Sequence, residues 1–371
     1  MIGTFQRGSS YIPTINCSWN VGNPPFPTVT SASTTVIFSP TASQHQCYNH
    51  NAYLFRTAFG SNRIHLLHVT HDQDEDGAGQ YMRGMYSDDE GITWSSYSTI
   101  IPSWEAMDLT HTVNAHLAYF AGTIISNNVQ YLVYDVNICL WSTTGDRLPY
   151  GVLAQPIVND VFGTPVWVYG GNGDTVYSQA PLNFKTTFLT DMMARGNVLY
   201  LSVSTNAIWP RSPSGAEENL TEGASIKTSN SYWTRYSRAY NNLSASQYSV
   251  QIQNSINGID WSYPINSPIP NSPSRLFFLK HSNGTWCFAS NPYTYLSIFR
   301  DPLIVAFSTD AINWTSAKTI RLIGSDTPVY AGYAKDCAAS YPSLIQLLNG
   351  KILSVYSIFK ETIAITQFSI P

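Results

Sequence analysis

Five of the eight histidines fall within one stretch: His45, His50, His65, His68 and His71. Histidine exchanges protons near neutral pH because its ordinary pKa lies near 6.5. Between Ile64 and Thr70 the residues alternate with a period of two, so His65 and His68 point to opposite faces of one strand. Such residues most often brace a framework by hydrogen bonding, and His65 and His68 are read that way. His50 and His71 stand near the ends of two successive strands, where a side chain can turn toward a mouth, and they are the acid–base candidates. The acidic run Asp72, Asp74, Glu75 and Asp76 follows at once. Its oxygens suit a calcium ion, but it lacks an ordered ligand spacing, so a solvated loop is the competing reading and no cofactor is required. Further along, Arg275 and Arg300 each precede a strand. A guanidinium there can hold a carboxylate through two parallel N–H bonds. The competing reading pairs each with a neighbouring carboxylate, Asp301 being the obvious one, and makes them braces. Arg238 and Tyr341 are weaker candidates for binding a sugar.

These residues must be positioned by strands. Short β-branched and aromatic runs alternate with Gly, Pro, Asn and Ser clusters: Tyr131–Tyr134, Val166–Tyr169, Val198–Leu201 and Ile352–Tyr356. Aromatic residues make up 13% and charged ones only 11%, against about 25% in average domains, as in an aromatic-rich all-β chain. No helical periodicity extends beyond three turns. A short phrase recurs: Ser87-Asp88-Asp89-Glu90-Gly91-Ile92-Thr93-Trp94, Ser255-Ile256-Asn257-Gly258-Ile259-Asp260-Trp261 and Ser308-Thr309-Asp310-Ala311-Ile312-Asn313-Trp314. In each, an Asp or Asn can accept backbone N–H bonds, a small residue tolerates positive φ, and the Trp can pack beneath the loop. The tryptophans lie 167 and 53 residues apart, and the first spacing is close to three steps of the second. A step of about 53 divides 371 residues into seven, which predicts a seven-bladed β-propeller formed as one domain over residues 1–371. The last strand, Thr362–Phe368, should close a blade with N-terminal strands. Pro210–Glu222 reads as a long polar surface loop.

A net charge of −4 gives no electrostatic case for nucleic acid or for anionic membranes, and no segment approaches the roughly 18 apolar residues of a membrane span. The start, Met1-Ile2-Gly3-Thr4, lacks the basic and apolar regions of a signal peptide. Sequons at Asn16, Asn219, Asn242, Asn283 and Asn313 nonetheless point to a secreted protein whose signal was removed. A monomer is expected. The five cysteines show no C-x-x-C spacing, which argues against a zinc or redox motif. Cys17 with Cys47 is the pair expected to bond in an oxidising compartment, and an odd count leaves a thiol over.

The recurring phrase resembles the Asp-box of sialidase-like (neuraminidase-repeat) propellers. Further phrases resemble that superfamily in order: Asn49-His50-Asn51, His71 to Gln80, Ser274-Arg275-Leu276-Phe277, Asn291-Pro292, Arg300-Asp301-Pro302-Leu303, Tyr341-Pro342-Ser343 and Lys360-Glu361-Thr362-Ile363. Within it, two histidines about twenty residues apart are similar to the pair in seven-bladed polysaccharide lyases. The nearest likeness is to L-rhamnose-α-1,4-D-glucuronate lyases acting on gum arabic and other arabinogalactans, with rhamnosidases and ulvan lyases as relatives. The resemblance implies a secreted lyase that cleaves a sugar–uronate linkage by β-elimination. It gives His71 the base role and His50 an acid or neutralising role, or the reverse, with Arg275 and Arg300 on the uronate carboxylate. The alternatives are a glycoside hydrolase of the same fold (α-L-rhamnosidase or exo-sialidase) and a non-catalytic glycan-binding propeller. The sialidases' early R-I-P phrase is missing here, where His50-Asn51-Ala52 stands, and their tyrosine–glutamate nucleophile pair is not evident.

Overall fold

The structure is a computed structural model. It describes residues 15–18, 26–42, 46–107, 113–139, 147–194, 220–228, 232–239, 249–256, 262, 265–272, 274–292, 300–332, 335 and 337–371. After β1 (Asn16–Cys17) and β2 (Thr30–Phe38), the chain builds its first complete sheet from β3 (Tyr48–Arg56), β4 (Ile64–His71), β5 (Tyr81–Ser87) and β6 (Ser98–Ile101), joined antiparallel in sequence order. The second sheet holds β7 (Glu105–Met107), β8 (Val113–Ser126), β9 (Val129–Cys139), β10 (Arg147–Val158), β11 (Val161–Phe162) and β12 (Val166–Gly170). Helix α1 (Leu182–Ala194) follows and packs Phe184 and Phe188 against Tyr131. The third sheet is β13 (Leu220–Thr228), β14 (Tyr232–Ala239), β15 (Ser249–Ser255) and β16 (Ile265–Pro270). The fourth holds β17 (Phe277–Lys280), β18 (Trp286–Ser290), β19 (Leu303–Ser308) and β21 (Ser316–Arg321), with β20 (Asn313–Trp314) pairing β1. The fifth is β22 (Ala339–Gln346), β23 (Ile352–Ile358) and β24 (Thr362–Ser369), with β2 along its outer edge.

The protein is therefore an all-β propeller. Its described residues make five blades rather than seven. The equal-step reading fails between Trp94 and Trp261, where the described residues make two blades, not three. The second blade spends its length on strands of 14, 11 and 12 residues, and a helix follows it. That helix, 13 residues long, also runs past the three turns to which the sequence periodicity is limited. Ring closure is as expected: β24 pairs with β2, for example Ile365 with Thr35, which removes an exposed edge. β22 packs against β3 and β17, and β3 against β8, so inner strands of neighbouring blades meet. Every residue of β3 but Arg56 is buried, whereas β2 lies largely exposed.

Two of the three repeated turns lie within the described residues, and they fold as their chemistry requires. Asp310 accepts from the amides of Ile312 and Asn313, both at 2.8 Å, and from the Asn313 Nδ2–H at 2.6 Å. Asp89 does the same for Thr93, through its amide at 2.8 Å and its hydroxyl at 2.6 Å. The Ser87 and Ser308 hydroxyls donate to these carboxylates, and Trp314 is fully buried beside Phe278 and Phe288. In the second copy, residues 257–261 lie outside the described residues.

Several other expectations change. Residues 220–222 belong to β13, not to a loop, while 210–219 lie outside the described residues, as do Val198–Leu201, His45, Asn219 and Asn242. The expected Cys17–Cys47 bond is not formed. Cys17 lies on the strand that joins β20, and the Cys47 thiol donates to the Ala42 carbonyl at 3.0 Å. Asn16 and Asn313, both sequon residues, bond to each other at 2.7 Å, whereas Asn283 stands exposed in the β17–β18 turn. No helix is long and apolar enough to cross a membrane among the described residues.

Candidate functional site

The first and last blades meet at a seam, and the tripeptide Asn49-His50-Asn51 lies on it, near the start of β3 rather than at a strand's end. Asn49 is the staple. Its amide N–H donates to the Lys360 carbonyl at 2.6 Å, and its Nδ2 donates to Glu361 O and Gln46 O at 2.8 and 2.7 Å. Its Oδ1 accepts from Arg83 Nη2 at 3.0 Å. Asn51, at a φ of 52°, accepts from Arg275 Nη1. Between them His50 is 1% exposed.

One tautomer of His50 suits its neighbours. With the Ser357 hydroxyl donating to the Ser340 carbonyl at 3.3 Å, its oxygen is open to accept from His50 Nδ1–H, 2.8 Å away. In that tautomer Nε2 carries a lone pair, and the atom is buried with no hydrogen-bond partner. Burial pushes the imidazole well below its ordinary pKa, and the positive charges of Lys360, Arg300, Arg275 and Arg238 push the same way, in that order. His50 is therefore neutral at physiological pH, surrounded by four cations.

Tyr341 covers this imidazole, with ring centroids 4.0 Å apart. Its φ of 57° is rare for a non-glycine residue, and β22 breaks register there. Arg238, from β14, donates to its phenol oxygen at 2.8 Å, and the Arg300 guanidinium lies 5.2 Å from its ring centre. All three arginines are buried, as is Lys360, whose ammonium lies 2.5 Å from Glu75. Asp301 turns its carboxylate to the amides of Ile323 and Gly324, both at 2.9 Å.

His50, Arg238, Arg275, Arg300 and Tyr341 thus converge from five separate segments. His71 does not share their surroundings. It ends β4, but its Nε2–H donates to the Ala78 carbonyl at 3.1 Å, and its Nδ1 accepts from the amides of Gln73 and Asp74 at 3.2 and 2.9 Å. Both ring nitrogens organise the 71–80 loop, and Gly77 lies so close to the ring that a Cβ there would clash with it. His65 stacks on Phe55, and His68 accepts from Arg83 Nε–H at 3.2 Å; both are framework groups.

Sequence reasoning missed what the acidic run does. Among the described residues no group of three or more His, Cys, Asp and Glu gathers as a metal site. Instead Glu75 meets Lys360, Asp76 accepts from the Tyr119 hydroxyl, and Asp72 accepts from the Gln46 amide at 3.1 Å. Burial and the Glu75 charge keep the Tyr119 phenol well above its usual range, hence protonated. Lys360 stood in the sequence beside Glu361 as part of a phrase, but nothing local showed that its charge would bear on His50.

No protein-family model matches the chain, and no curated protein matches it. Among solved structures it is similar to a sialidase at 16% identity and a TM-score of 0.69, over 93% of this chain and 33% of that one. It is also similar to a mutant Trypanosoma rangeli sialidase displaying trans-sialidase activity (11%, TM-score 0.57, 92% and 60% covered). The NanB sialidase of Streptococcus pneumoniae is a third (12%, TM-score 0.55, 91% and 70%). The chain spans a third of the first structure's length. At these identities the likeness establishes the fold, a sialidase-like propeller.

Proposed function

We propose that this propeller is a secreted glycan-processing enzyme that cleaves a sugar–uronate linkage by β-elimination, of the L-rhamnose-α-1,4-D-glucuronate type. One observation carries the reading: a buried, neutral histidine whose Nε2 has no hydrogen-bond partner, set among four cations. Elimination needs a base for the C5 proton, positive charge for a carboxylate that gains electron density as the proton leaves, and an acid for the C4 oxygen. His50 Nε2 is the base, Arg275 and Arg300 hold the carboxylate, and the Tyr341 hydroxyl protonates the leaving oxygen. Arg238 orients that phenol. The sugar meets Tyr341 first, and Nε2 becomes available when the ring turns aside. His71 then shapes the loop beside the site and is not the base. The exposed sequon at Asn283 and the resemblance support an extracellular setting.

A second reading, hydrolysis, is favoured by Tyr341 itself. A phenol oxygen held by Arg238, with Glu75 and Asp76 on the neighbouring loop, is also a set of parts for covalent glycoside cleavage. The two separate on product. Incubation with rhamnosyl-glucuronate oligosaccharides should release rhamnose and a conjugated unsaturated uronate that absorbs in the ultraviolet. Release of sugar with a saturated uronate would establish hydrolysis, and no release from any acidic glycan would leave a binding propeller.

A further inference from the structure

The turn joining β23 to β24 is unusual. Phe359 and Lys360 are consecutive non-glycine residues at a φ of 53°, a conformation that costs energy unless the surroundings impose it. The bend lets one short segment do three things. The Lys360 carbonyl accepts from the Asn49 amide, the Glu361 carbonyl accepts from the Asn49 side chain, and the Lys360 side chain runs inward, 4% exposed, to Glu75. Three residues earlier, Ser357 accepts from His50. A second clasp reinforces the turn: Lys335 Nζ donates to Cys47 O at 2.9 Å and meets Glu361 at 3.4 Å, and Glu361 also accepts from the amides of Val329 and Tyr330.

We propose that Lys360 is a positioning residue for His50: the strained seam turn seats the imidazole and carries into the site an ammonium that, steadied by Glu75, sets its charge surroundings. The role rests on the elimination reading only where His50 is taken as the base. The other groups facing His50 are Tyr48 from β3, Tyr341 from β22, Ser357 from β23, Arg238 from β14, and Arg275 and Arg300 ahead of β17 and β19. Among the cations Lys360 has the largest influence on it. An uncompensated carboxylate at this place would draw a proton onto His50 and destroy the base, whereas Glu75 is matched by the lysine.

The test needs no substrate. His50 ring signals in the histidine-labelled full chain, identified by their loss in H50Q, are followed by NMR as pH falls. In K360M, which keeps the aliphatic length, His50 should take up its proton roughly one pH unit higher than in the wild type, and K360R should match the wild type. Should K360M not fold, K360Q serves in its place. Identical His50 titration with and without the ammonium overturns the proposal. The acid limb of kcat/KM on a uronate glycan should move with the NMR midpoint. A midpoint that moves while the limb stays supports Lys360 as the positioning charge and removes His50 from the role of base.

Discussion

Asp310, half-buried, and His50, buried, are both polar residues with hydrogen-bond partners, and their surroundings are opposite. In the turn at 308–314 the Asp310 oxygens accept from a hydroxyl, two amides and a carboxamide, all within five residues of one another. At the seam, His50 has one nitrogen on Ser357 and the other on nothing, and its charged neighbours come from residues 238, 275, 300 and 360. A group whose bonds are all met nearby stabilises a fold. A buried group with an open valence, held by distant segments, costs stability and is available for chemistry.

The contrast is broken most directly at its two poles. His50→Ala should lower turnover of a uronate glycan by about 10²- to 10⁴-fold while the melting temperature stays nearly constant. A large drop in melting temperature with turnover retained would make His50 a framework residue like His65. Next in size, Arg300→Ala should cut kcat/KM by roughly 10- to 100-fold, the worth of a charge-assisted bond, and should lower kcat as well as raise KM. A change in KM alone would mark a ground-state contact and blur the difference between the regions.

At the other pole, Asp310→Ala strands several turn donors and should reduce unfolding free energy by about 1–3 kcal/mol with kcat unaltered. Loss of activity in the folded variant would show that the turn reaches the site. The smallest effect is a pH dependence. Burial holds His65 at about 4, His68 at about 3 and His116 at about 4. The unfolded chain binds these protons near pH 6.5 and the folded chain does not, so this contribution to stability is complete above that pH. It should be lost progressively as pH falls toward about 4. Melting curves across this range should show the decline, and His68→Gln should flatten it.

Much of the architecture was legible because its causes are local. Alternation marked β4, β-branched and aromatic runs marked β9, β12 and β23, and the S-x-D turns carry their own hydrogen-bonding partners within a few residues. Their spacing misled on blade number, since a period assumes equal blades and the second blade here has long strands and a helix after it. The arginines and His50 were visible as residue types that hold carboxylates and move protons. The sequence could not separate His50 from His71, because both sit near strand ends and differ only in what surrounds them. His71 finds its partners within seven residues along the chain, at Gln73, Asp74 and Ala78. His50 meets Ser357 from 307 positions away, and only closure of the ring brings that hydroxyl and the Lys360 ammonium to it. Residue identity and short-range pattern therefore determined the strands, the turns and the candidate chemistry. Which of His50 and His71 is left with an unsatisfied nitrogen, and among which charges, was decided by the seam, because burial and long-range electrostatics exist only once the ends of the chain meet.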